Sequence, residues 1–179
     1  TGGGSATVTT IDANSLTGDV QLEFADDQLT SDVSVKGTGS DSDTLVANYA
    51  ATTNLSGSND LDISGIETVT FQVDTGLTSS GTPIDLTNVS GVDTFVLTQT
   101  SGTNGVNLKN LDDGQTVQLG NSSNNYDDAT VDLDLADNTG DSNSLTIDAT
   151  DTSSTSNAVI LDTAGVEDLT FDIATGLDA

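Results

Sequence analysis

The chain is 179 residues long and carries 29 acidic side chains against two basic ones, Lys36 and Lys109, for a formal net charge of -27. That surplus excludes nucleic acid and anionic membrane surfaces as partners, because both are bound through Lys and Arg. With neither His nor Cys, the chain offers no usual transition-metal ligand set and no disulfide framework, and no apolar run approaches the length of a membrane span.

The opening Thr1-Gly2-Gly3-Gly4-Ser5 reads as a linker, so the chain is expected to be a processed form or a piece of something longer. Apolar–polar alternation then predicts strands at Val20/Leu22/Phe24, a shorter one at Val33/Val35, and longer ones at Leu45/Ala47/Tyr49 and Val69/Phe71/Val73. Next come four evenly spaced triplets, Ile84-Asp85-Leu86, Phe95-Val96-Leu97, Val106-Asn107-Leu108 and Val117-Gln118-Leu119. An amide follows each one in register (Asn88, Gln99, Asn110, Asn121), as expected if these amides stack along an axis. The alternation resumes at Val131/Leu133/Leu135, Leu145/Ile147/Ala149, Val159/Leu161 and Leu169/Phe171/Ile173. No stretch has a helical period, and Gly and β-branched residues are spread throughout, so almost no helix is expected.

A longer, 100-residue repeat overlies these elements. Gly65-Ile66-Glu67-Thr68-Val69-Thr70-Phe71 aligns with Gly165-Val166-Glu167-Asp168-Leu169-Thr170-Phe171, and Asp41-Ser42-Asp43-Thr44-Leu45 with Asp141-Ser142-Asn143-Ser144-Leu145. Residues 8–79 thus match 108–179, and 1–179 reads as a single elongated repeat domain. Two architectures fit. The constant triplet pitch, the slim inward side chains and the in-register amides favour an all-β, parallel β-helix-like solenoid of about 22 residues per coil and roughly eight coils. The alternative is a pair of tandem Ig-like β-sandwiches built from hairpins.

Calcium is the cation suited to this chain, since it takes carboxylate, amide and carbonyl oxygens. The candidate ligands are the clustered acids Asp27, Asp41, Asp43, Asp112, Asp113, Asp127, Asp128, Asp137 and Asp141. Asp137-Asn138-Thr139-Gly140-Asp141-Ser142-Asn143 alternates oxygen donors around a glycine, without the spacing or closing Glu of an EF-hand. The competing reading makes these acids solvated turn residues that cap strands. Glu67, Asp93 and Glu167 follow Gly-Ile or Gly-Val just before a strand, with Asp112 read as their equivalent. At such a turn a carboxylate either bridges coils through a metal or accepts backbone N–H bonds, and the second reading is favoured.

Catalysis is not expected. A triad lacks its base, and a two-carboxylate glycosidase would lack the aromatic platforms that hold sugars. A flat ice-binding face would need Thr-x-Thr on coil after coil, whereas the aligned positions hold Asp168, Thr94/Val96 and Gln118.

The phrases Ile84-Asp85-Leu86-Thr87-Asn88-Val89-Ser90-Gly91-Val92, Asp141-Ser142-Asn143-Ser144-Leu145-Thr146-Ile147 and Gly165-Val166-Glu167-Asp168-Leu169-Thr170-Phe171 resemble the repeat region of calcium-dependent bacterial surface-layer proteins of the type I-secreted (RTX) kind. The resemblance covers most of 41–177. It implies a β-solenoid, one-step export and calcium-driven assembly into a two-dimensional lattice. The glycine-rich Gly-Gly-x-Gly-x-Asp repeats that often accompany that family are absent, so the resemblance assigns no ligand residue. The expectation is a structural, self-assembling extracellular protein at the cell surface, stabilised by Ca2+. It would be a homo-oligomer in a lattice or filament, with cell-surface polysaccharide as a further partner. The alternative function is an extender or ligand-binding module of a large bacterial adhesin.

Overall fold

The computed structural model of the chain describes residues 8–25, 28–30, 32–40, 42–49, 60–73, 83–99, 106–120, 130–137, 139, 142–149 and 160–173. These residues contain no helix and fourteen strands: β1 (Thr10–Asp12), β2 (Gln21–Phe24), β3 (Ser34–Lys36), β4 (Thr44–Tyr49), β5 (Asp60–Ser64), β6 (Thr68–Val73), β7 (Ile84–Ser90), β8 (Thr94–Gln99), β9 (Val106–Leu111), β10 (Thr116–Leu119), β11 (Thr130–Leu135), β12 (Ser144–Ala149), β13 (Ile160–Ala164) and β14 (Asp168–Ile173). The odd-numbered strands form one seven-stranded sheet in chain order and the even-numbered strands form the other. Each coil adds one strand to each sheet, so the described strands wind through seven coils.

Every strand pair is parallel. Parallel pairing throughout is what a solenoid requires, and hairpin-built sandwiches are thereby excluded. The pitch is less regular than the even triplet spacing predicts. Thr94 pairs with Thr116, two triplet steps on, but Thr116 pairs with Thr146, a distinctly longer step.

The core lies between the two sheets. In the even sheet one inward file runs Leu22, Leu45, Val69, Phe95, Val117 and Ile147, and ends at Phe171, which is exposed on the last described coil. The next runs Phe24, Ala47, Phe71, Leu97 and Leu119, where the small Ala47 sits between two phenylalanines. The Tyr49 and Phe71 rings lie 6.2 Å apart, and Phe71 and Phe95 stack at 6.1 Å with planes 7° apart. Every side chain in the odd sheet's file Val35, Ile63 and Val89 is buried. Such files fill a two-layer interior as alternation predicts.

Two strands have no counterpart in the sequence reading, β1 and β5. β5 offers only Leu61 and Ile63 between polar residues, yet both are fully buried. The amide stack differs at Asn88 and Asn110, while Asn121 and the Gln99 side chain lie outside what is described. Asn88 pairs with Asp62, and the Asn110 side chain bonds Asp85 and Thr87. Asn110 sits at φ 63, a left-handed backbone position that asparagine tolerates.

Candidate functional site

Each coil passes from the odd sheet to the even sheet through a corner, and the corners gather the polar groups that sequence singles out. The short corners are Gly65-Ile66-Glu67, Gly91-Val92-Asp93 and Gly165-Val166-Glu167. Gly65 and Gly91 take positive φ, which turns the chain and sends Ile66 and Val92 into the core. Glu67 Oε2 accepts the Asp43 N–H at 2.8 Å, while the Glu67 and Thr68 N–H groups donate to the Asp43 carbonyl. One coil further on, Asp93 and Thr94 donate to the Glu67 carbonyl, and Thr116 donates to that of Asp93. In the second copy of the long repeat, Glu167 Oε2 accepts the Asn143 N–H at 3.1 Å, and Glu167 and Asp168 donate to the Asn143 carbonyl. Glu67 and Glu167 therefore act as acceptors of backbone N–H, tying each coil to the one before.

The β9–β10 corner corrects one equivalence. Asp112 does not stand where Glu67 stands. The corner is longer, and Gln115 takes that place, accepting the Asp112 N–H at 2.8 Å and donating to the Val92 carbonyl of the preceding coil at 2.8 Å.

Three corners are longer still: β1–β2, and the pair β3–β4 and β11–β12 that carries candidate ligands. In the β3–β4 corner, Asp43 is fully buried and accepts from the N–H groups of Val20 (2.8 Å) and Thr38 (2.6 Å) and from the Thr38 hydroxyl. Burial pushes its carboxyl pKa up, and these donors pull it down further, so it ends below its ordinary value. A Cβ on Gly37 would lie 1.6 Å from the Gly65 carbonyl oxygen and 2.7 Å from Asp43 Oδ2, so this corner closes only around glycine. Ser40 caps the loop with a hydroxyl bond to Asp19. In the β11–β12 corner, Asp137 accepts the Thr139 N–H (2.9 Å) and hydroxyl (2.6 Å), and the Asn143 amide donates to the Asp137 carbonyl at 2.8 Å. Asp113 accepts the Ser144 N–H (2.6 Å) and hydroxyl (2.9 Å) from the next coil. The Ser144 donors hold Asp113 below its ordinary pKa, and the Thr139 donors do the same for Asp137.

Of the predicted calcium ligands, Asp43, Asp112, Asp113 and Asp137 lie at these corners, and Asp27, Asp41, Asp127, Asp128 and Asp141 lie outside the described residues. Among the described residues no three acidic side chains converge on one point. Asp43 directs both carboxylate oxygens at N–H and O–H donors, whereas Asp112 and Asp113 are exposed at the surface. Acids do align on the outer face of the even sheet, where Asp148 is in register with Asp172. Like charges at such spacing repel, and a bridging cation relieves the repulsion.

Two features escape the sequence reading. Asp85 on β7 accepts from Lys109 Nζ (2.7 Å), Asn110 Nδ2 (2.7 Å), the Thr87 hydroxyl (2.6 Å) and the Thr87 N–H (3.0 Å). Burial raises its pKa, and Lys109 and the other donors overcome that rise, holding it well below the usual carboxylate range. The second is an outward threonine file on the even sheet: Thr44, Thr68, Thr94, Thr116, Thr146 and Thr170. The long-repeat alignment sets Thr68 on Asp168 and so breaks this file. The long step at β10–β12 shifts the register by two and restores it. The neighbouring file is mixed, with Val46, Thr70, Val96, Gln118, Asp148 and Asp172, so the face is not a Thr-x-Thr array.

No protein-family model matches the chain, and no curated protein or solved structure matches it.

Proposed function

We propose that the chain is a structural module of an extracellular, cell-surface assembly, in which copies pack into a lattice or filament and calcium bridges their carboxylates. The observation that carries this reading is how the corner polar groups are used. Glu67, Glu167, Gln115, Asp43 and Asp113 each bond the backbone of a neighbouring coil. Side chains engaged in that way serve the shape of the rod. Divalent ions are assigned to acids that stand in register on the outer face, such as Asp148 with Asp172, where a cation relieves like-charge repulsion. A net charge of -27 opposes close approach of copies until cations reduce it.

The test is light scattering and thermal unfolding with millimolar calcium and with chelator. Growth in particle size together with a higher Tm in calcium supports a lattice or filament. A higher Tm without growth favours the extender of an adhesin. If neither quantity changes, calcium has no part in the function.

A further inference from the structure

Around β7 and β9 the two sheets treat the triplet repeat differently. The even sheet follows it: Phe95 pairs with Val117 and Leu97 with Leu119, triplet on triplet. The same register in the odd sheet would set Ile84 on Val106, Leu86 on Leu108, Asn88 on Asn110 and Val89 on Leu111. All six of those apolar side chains are buried in the structure. The observed pairing is instead Ile84 with Leu108 and Asp85 with Lys109, displaced by two from triplet on triplet.

A slip by two keeps the inward positions of both strands inward, so alternation alone does not choose between the two registers. They differ in how the irregularities align. Strand β7 buries Leu86 and then Val89, and β9 buries Leu108 and then Leu111 with the same spacing. In the triplet register these two irregularities would lie side by side. In the observed register they are out of step, and Asn110 takes a left-handed φ of 63, which asparagine tolerates better than most L-residues.

The observed register also has something the other lacks. It puts Lys109 directly beside Asp85, with the Asn110 amide bonding both Asp85 and the Thr87 hydroxyl. In the triplet register, Asp85 would face Asn107, and Lys109 would face Thr87. The other charged groups in this file are Asp60, in register with Asp85, and Asp134, in register with Lys109.

We propose that β7 has two registers on β9, displaced by two positions, and that the Asp85–Lys109 ion pair with the Asn110 amide selects the observed one. The rod then contains one coil that slips by about 7 Å along the strand, at roughly 3.3 Å per residue, without exposing its core. The device does not depend on calcium or on assembly.

Methyl-labelled protein tests it by cross-strand nuclear Overhauser contacts from Ile84. Wild type at low salt is expected to show Ile84 against Leu108. Lys109→Gln and Asp85→Asn are each expected to lose that contact and gain Ile84 against Val106, while Lys109→Arg keeps the wild-type contact. Wild type in rising salt provides a reading that needs no variant to fold, with the Val106 contact growing as the ion pair is screened. An unchanged Ile84–Leu108 contact across the salt series and in whichever neutralised variant folds overturns the proposal.

Discussion

Two of the long corners, β3–β4 and β11–β12, occupy equivalent places in the 100-residue repeat, yet they are closed by opposite chemistry. At the first, Asp43 is an acceptor and gathers the Val20 and Thr38 N–H groups. At the second, Asn143 is a donor, and its amide reaches the Asp137 carbonyl. The backbone around both is the same. Glu67 caps Asp43, Glu167 caps Asn143, and two N–H groups of the next coil bond each carbonyl. The repeat therefore preserves the coil-to-coil backbone bonds, while the loop side chains adapt to whichever groups the neighbouring coil leaves unsatisfied.

That contrast can be broken most forcefully at its glycine. Gly37→Ala is expected to cost roughly 4 kcal/mol or more, because the new methyl would meet the Gly65 carbonyl. The matching position in the second corner already bears a side chain, Asp137, and Asp137→Ala is expected to leave the urea midpoint nearly unmoved. Equal effects at the two positions would erase the distinction. Next comes the closing residue itself. Asp43→Ala leaves buried donors without an acceptor and should lower stability by about 3 kcal/mol, against about 1 kcal/mol for Asn143→Ala in the same denaturant series.

Acid sharpens the difference further. The folded-state pKa of Asp43 lies below its ordinary value of 3.8. Its contribution is thus fully present above that value and is lost as pH falls through the lower, folded one. The stability gap between wild type and Asp43→Asn should shrink between pH 7 and pH 2. Substituting Asn143, which does not titrate, should give a gap that stays level. The smallest effect is expected where the corners agree. Glu67→Gln and Glu167→Gln keep an oxygen for the same N–H, and each should cost no more than about 1 kcal/mol, in similar measure.

Much of the fold was legible because apolar alternation is a local signal. The triplets that begin at Ile84, Phe95, Val106 and Val117 fall on β7, β8, β9 and β10, alternating between sheets as a two-strand coil requires. β5 was not legible, since Leu61 and Ile63 alone make too short a pattern. The N–H acceptor role of Glu67 could be read from its place in a glycine turn. The role of Asp43 could not, because its partner Val20 lies a full coil earlier in the chain. Gln115 escaped because the longer β9–β10 corner moves the corner position off Asp112. The threonine file stayed hidden for a related reason: its register depends on the one long step, from Thr116 to Thr146, and no local pattern announces it.

The proposed function requires that these coils form a rod whose acidic faces assemble through calcium. Electron micrographs of the protein, taken once in calcium and once in chelator, test it most directly. Ordered sheets or filaments of side-by-side rods in calcium, dispersing in chelator, are the predicted result. Isolated rods in both conditions would contradict it.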